Sequence, residues 1–225
     1  MQPTLQYAAW AVNLTLEILV VQALLRGAYK KYPFIFAYTT ALILTTAVEV
    51  AAYGAFSGAQ RLARSRAFYY WVNEGVLDAL IFCVVIALIY RATSSLSSRR
   101  IVRFSLIAGA ALFAGTSFLI HYNSGAVLSR WMTLWSRDLS FSASILDLAL
   151  WTMLVASREK DRRILMLSGA LGVQFSGEAI GHSLRTLSRA LVWPGNLLIL
   201  FSDLACLYVW WQTFRAAPAR KDALI

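Results

Sequence analysis

The chain has 225 residues, of which 59% are hydrophobic and only 14% charged, with a mean hydropathy of +0.61. Two cysteines and this apolar content exclude a disulfide scaffold, a disordered chain and an ordinary soluble globule, in which about 25% of residues are charged. A net charge of +10 would suggest nucleic acid in a soluble protein, but the basic residues lie in short gaps between apolar stretches, which points to membrane topology and anionic lipid and away from nucleic acid.

A bilayer core requires about 20 mostly apolar residues per helix. Seven stretches meet this, near 5–25, 33–56, 69–90, 104–122, 134–157, 164–184 and 194–214. Strand-like alternation is missing, so the expected fold is all-α, a single domain of seven transmembrane helices. The first stretch lacks a basic leader region and carries Glu17, so it reads as a retained span, not a cleaved signal. The fifth opens on Arg137 and Asp138, the least apolar start of the seven.

Lys and Arg set the expected orientation. Fourteen lie in the first, third and fifth connections and the C-terminal tail, against seven on the opposite side, Arg61, Arg64 and Arg66 among them. This bias places the N-terminus outside and the C-terminus in the cytoplasm. Tyr69, Tyr70, Trp71, Trp131, Trp135, Trp210, Trp211 and Phe214 fall at span ends, where amphipathic rings favour the headgroup level. Pro33 and Pro194 stand at expected helix starts. Small residues recur four apart in the fourth span (Ser105 and Gly109, Ala111 and Gly115) and in the sixth (Gly177 and Gly181). Such spacing lets helix backbones approach, within one chain or between two copies.

Eight of the eleven acidic residues fall inside expected spans: Glu17, Glu49, Glu74, Asp78, Asp138, Asp147, Glu178 and Asp203. Each charge at a bilayer centre costs at least about 2.5–3.5 kcal/mol, so these groups should face the bundle interior, pair, protonate or line water. Helical spacing agrees. Asn13 and Glu17, Thr45 and Glu49, Glu74 and Asp78, and the stripe Gln174, Glu178, His182 each occupy one helix face. With the N-terminus outside, the polar groups are biased towards the outer half, which suggests a cavity open to the outside. Its expected lining is Glu49, Glu74, Asp78, Arg137, Glu178, His182 and Asp203, with Arg137 as the permanent cation.

A weak internal echo accompanies this. Glu17, Glu49 and Asp78 in spans one to three are matched by Asp147, Glu178 and Asp203 in spans five to seven, which would make the fourth span a linker between two parallel three-helix units.

Other chemistry is poorly supported. Glu178 and His182 present two metal ligands on one helix face, but no third is specified, so no metal is assigned. His121, the only other histidine, would have to share a depth with His182 to hold a haem. Cys83 and Cys206 read as small buried residues, and no serine sits in a nucleophile elbow. The seventh span has no lysine for a Schiff base, so retinal is excluded. No catalytic residue and no cofactor follow from the residues.

The segments LRGAYKKYPFIFAY (Leu25–Tyr38) and FYYWVNEGVLDAL (Phe68–Leu80), a basic turn before Tyr-Pro-Phe and an aromatic entry with an acid just inside, resemble an uncharacterised family of small bacterial seven-helix integral membrane proteins. The resemblance implies the seven-helix architecture and a multi-pass location in the bacterial inner membrane, and carries no site residue. Three function classes stay open. One is a sensor-like or transporter-like bundle that binds a small polar or cationic ligand, a sensor needing a partner protein for signalling. Another is an intramembrane enzyme acting on a lipid or small molecule through Glu178 and His182. The third is a structural or accessory subunit.

Overall fold

The structure, a computed structural model, describes residues 3–55, 63–92, 99–122, 128–156 and 161–215. These form seven long helices and no strand: α1 (Pro3–Leu25), α2 (Pro33–Ala55), α3 (Ala63–Ala92), α4 (Arg99–His121), α5 (Leu128–Ala156), α6 (Arg162–Leu187) and α7 (Val192–Arg215), with single helical turns at Ala28–Lys30 and Arg189–Leu191. Four stretches within them are long and apolar enough to cross a membrane: Ala8–Leu25, Gly75–Ala92, Arg162–Leu187 and Arg189–Arg215. Shorter apolar runs occupy α2, α4 and α5. Several helices outrun the apolar stretches expected from sequence. α3 starts six residues before Tyr69 and α5 six before Leu134, because backbone hydrogen bonding continues a helix through polar residues that hydropathy leaves out.

Local chemistry fixes the ends. Pro33 opens α2, where its missing N–H would have no helical partner. Gly27 ends α1 with φ of 124°, a left-handed conformation that a side chain would oppose, and its N–H donates to the Leu24 carbonyl. Asp161 caps α6 by accepting from the backbone N–H groups of Arg163 (2.9 Å) and Ile164 (3.4 Å).

Six helices close a ring. α1, α2, α3, α5, α6 and α7 pack against one another in that order, and α7 returns to α1. α4 stands outside, against α5 and, less closely, α3. The tightest pair is α6 and α7. A Cβ on Gly181 would stand 2.8 Å from the Gly195 carbonyl oxygen, one on Gly195 would stand 2.7 Å from that of Gly181, and one on Gly177 would overlap Ser202. The small residues of α6 thus serve packing inside the chain. Those of α4 do not: Ser105, Gly109, Ala111 and Gly115 are all exposed, and a Cβ on either glycine would meet nothing within 4 Å.

The buried apolar side chains gather at one end of the ring. Val20 and Leu24 (α1), Ile35 (α2), Val84, Val85 and Leu88 (α3), Leu150 and Leu154 (α5), Leu167 and Leu171 (α6) and Leu207 (α7) form one core next to the connections that hold Arg26, Lys30 and Lys31. Tyr32 seals that end. It is buried, its ring meets Phe214 edge-on at 5.4 Å, and the Arg91 guanidinium lies 4.4 Å from its centroid while donating to the Lys31 carbonyl. Burial pushes the Tyr32 phenol above its ordinary range, with Arg91 opposing. Phe214 and Trp210, expected at the headgroup level, are instead buried: α7 turns these rings inward onto the core, and the Trp210 Nε1–H donates to the Leu167 carbonyl at 3.4 Å.

Gly181→Leu should lower the stability of the purified protein by about 1–3 kcal/mol, the cost of overpacking a tight contact, because the obstacle is backbone and cannot rotate away. Gly109→Leu, on the exposed face of α4, should leave the thermal unfolding midpoint in detergent unchanged or slightly raised.

Candidate functional site

The opposite half of the ring is hollow. A cavity of about 490 Å³ lies among α1, α2, α3, α6 and α7, within the range of sites that hold small molecules. Four of the seven side chains expected to line a cavity do so: Asp78, Glu178, His182 and Asp203. Glu49, Glu74 and Arg137 lie on α2, α3 and α5, and their side chains are outside the described residues. The cation that lines the cavity is Arg185, one turn beyond His182 on α6, which the sequence places in an outer connection. α6 runs on to Leu187 and so carries Arg185 on the same face as Glu178 and His182.

Each element contributes through its polar stripe. On α6, Gln174, Glu178, His182 and Arg185 follow one another along the wall. The Gln174 amide donates both to the Tyr38 hydroxyl and to Glu178 Oε1, each at 3.1 Å, and so ties α2 to α6. With that hydroxyl accepting from Gln174, its own proton can be donated. Glu178 and Asp203 both lie within electrostatic reach of it. From α2, the Thr45 hydroxyl donates to Asn73 Oδ1 on α3 at 2.8 Å. Asn13 on α1 donates through Nδ2 to Glu17 Oε1 at 2.8 Å, which leaves its buried Oδ1 with no hydrogen-bond donor.

Aromatic rings complete the lining. Trp10 stands on α1, while Tyr38 and Trp210 meet edge-on at 6.0 Å and form the deep end, with Cys206 beside them. Sequence reasoning misses Tyr38, Trp10 and Trp210 because aromatic residues near span ends carry the same pattern whether they meet lipid or a cavity. A period of helical turns linking Trp210 to Asp203 was the available signal.

Two further acids are used structurally. Glu17 is fully buried and also accepts from the Thr46 hydroxyl at 3.3 Å. Asp147, 2% exposed, faces α6 and accepts from Ser168 at 2.7 Å; a Cβ on Gly172 would stand 2.9 Å from its other oxygen, so the glycine makes room for the carboxyl. Asp138 belongs to a third cluster. Its Oδ2 accepts from Ser117 and meets His121 Nε2, both at 2.9 Å, and Trp135 beside it donates to the Ala114 carbonyl at 3.3 Å. His121 is therefore engaged between α4 and α5, while His182 lines the central cavity. Among the described residues, no three His, Cys, Asp or Glu side chains group to hold a metal ion, and no disulfide joins Cys83 to Cys206.

What this arrangement can do is bind. Three carboxyl groups, an acceptor amide oxygen and aromatic faces suit a ligand rich in N–H or carrying positive charge. Compared with protein-family models, curated proteins and solved structures, the chain gives no match.

Asp138→Ala removes the acceptor shared by Ser117 and His121. Hydrogen exchange should rise in the last turns of α4 and the facing turns of α5, with a stability loss of about 1–3 kcal/mol, while exchange in α6 and α7 stays as in the parent.

Proposed function

We propose that the chain is a seven-span bundle of the bacterial inner membrane, with its N-terminus outside, that admits a small organic cation into an acid-lined cavity open to the outside. It fits the small bacterial seven-helix group that residues 25–90 resemble. One observation carries the reading: Asp78, Glu178 and Asp203, from three helices, front a single cavity in the half of the ring opposite the basic connections. Basic connections favour the cytoplasmic side, so the hollow half faces out. The four helices long enough to cross a membrane include both walls that carry Glu178 and Asp203.

Aromatic faces beside carboxylates point to an ammonium group over a metal ion. A cation over Trp or Tyr gains about 0.5–2 kcal/mol from the ring quadrupole, and the carboxylates add direct charge complementarity. Arg185 at the outer level of the wall suits a ligand that also carries an acceptor or an anionic group. As a sensor, such a bundle requires a partner protein to relay the binding event. The alternative of an intramembrane enzyme draws on Glu178 and His182 facing the same space.

Tetramethylammonium and methylammonium chloride, titrated against purified protein with sodium chloride as control, should raise the unfolding midpoint. A ligand at a hundred times its dissociation constant stabilises by about 2.7 kcal/mol. Asp203→Asn and Glu178→Gln should weaken the effect at least tenfold in concentration, a loss of about 1.4 kcal/mol. Stabilisation that persists in both variants, or that sodium reproduces, refutes the cation site.

A further inference from the structure

The order of helices around the ring carries more than a binding site. In a closed ring of six, α1 stands across from α5, α2 from α6 and α3 from α7. The two triplets match in order and not in closeness: α6 and α7 pack more tightly than α2 and α3, and α3 also touches a helix beyond its ring neighbours, α6. α4, the helix with no counterpart, is the one outside the ring. Chemistry follows the same match. Asp78 and Asp203 stand at the midpoints of α3 and α7, and both line the cavity. Glu17 on α1 and Asp147 on α5 are buried acids that each accept from a hydroxyl on the next helix, Thr46 and Ser168.

We propose that α1–α3 and α5–α7 are two copies of one three-helix unit, related by a pseudo-twofold axis along the membrane normal, and that they rock against each other to carry the ligand across the membrane. The inference rests on the cavity reading above and selects a carrier over a fixed receptor. In parallel-repeat carriers, the site lies between the repeats and access alternates as one repeat tilts on the other. Here the carboxylates come from both units.

The far end is closed in a manner that can open. Across it, Tyr38 on α2 meets Trp210 on α7, and Tyr32, just before α2, meets Phe214 on α7. α2 and α7 are not among the helix pairs packed backbone to backbone. A barrier made of side chains from two units parts when the units tilt, without unwinding a helix.

Leu42 lines the cavity one turn above Tyr38 and is only partly buried, so a thiol placed there reports access without knowledge of the ligand. In protein carrying Cys83→Ser, Cys206→Ser and Leu42→Cys, a charged, membrane-impermeant thiosulfonate is applied to right-side-out and to inverted vesicles. Labelling is expected from both faces, slower from the basic face. Adding Trp210→Ala should speed labelling from the basic face by about threefold to tenfold, the factor one aromatic pair contributes. Labelling from the N-terminal face alone, with and without Trp210→Ala, overturns the carrier and leaves a fixed outward cavity. Absence of labelling from either face overturns the cavity reading itself. The protein without Trp210→Ala decides both points even where that variant fails to fold.

Discussion

A carboxyl group deprived of water needs a donor, a proton or a counter-charge, and this requirement organises the whole bundle. Burying an unpartnered charge costs more than any single packing contact returns. The chain meets the requirement in three ways. Glu17 and Asp147 are held between neighbouring helices by hydroxyl and amide donors. Asp138 gathers His121 and Ser117 at the end of α4. Asp78, Glu178 and Asp203 front the cavity, with Glu178 accepting from the Gln174 amide. The first two arrangements join neighbouring helices, and the third lines the space between them.

That division explains why one end of the ring is solid and the other hollow. Where the interior residues are Leu, Val and Ile, the helices draw together and close on Tyr32 and Phe214. Where they include Asn13, Asn73, Asp78, Glu178 and Asn196, the ring encloses a cavity, although α6 and α7 still meet closely at Gly177, Gly181 and Gly195 in its wall. Tyr38 and Trp210 belong to both halves. Their apolar bodies cap the core, and the Tyr38 hydroxyl, held by Gln174, faces the acids.

The helices and the polar stripes of α6 and α7 were legible in the sequence because both follow a 3.6-residue period that one chain displays directly. Pro33 as a helix start and Gly177 with Gly181 as a packing face were legible for similar local reasons. Ring order was not, since it depends on which faces meet across tens of residues. Hence Arg185, the cation of the cavity, was hidden by an end of α6 that sequence hydropathy places too early. Trp210 was hidden because an aromatic residue near a helix end satisfies lipid headgroups and a buried floor equally well. The exposed small residues of α4 show the converse, a packing pattern that no neighbour among the described residues takes up.

In the two-unit reading proposed above, the position of α4 has a consequence in parity. Three helices that alternate in direction reverse the sense of the chain, so a second copy joined directly to the first would run upside down. A fourth helix restores the sense, and by standing outside the ring it leaves the order of the six unbroken. In that reading Asp78 and Asp203, each halfway along its own helix, belong to helices that run the same way.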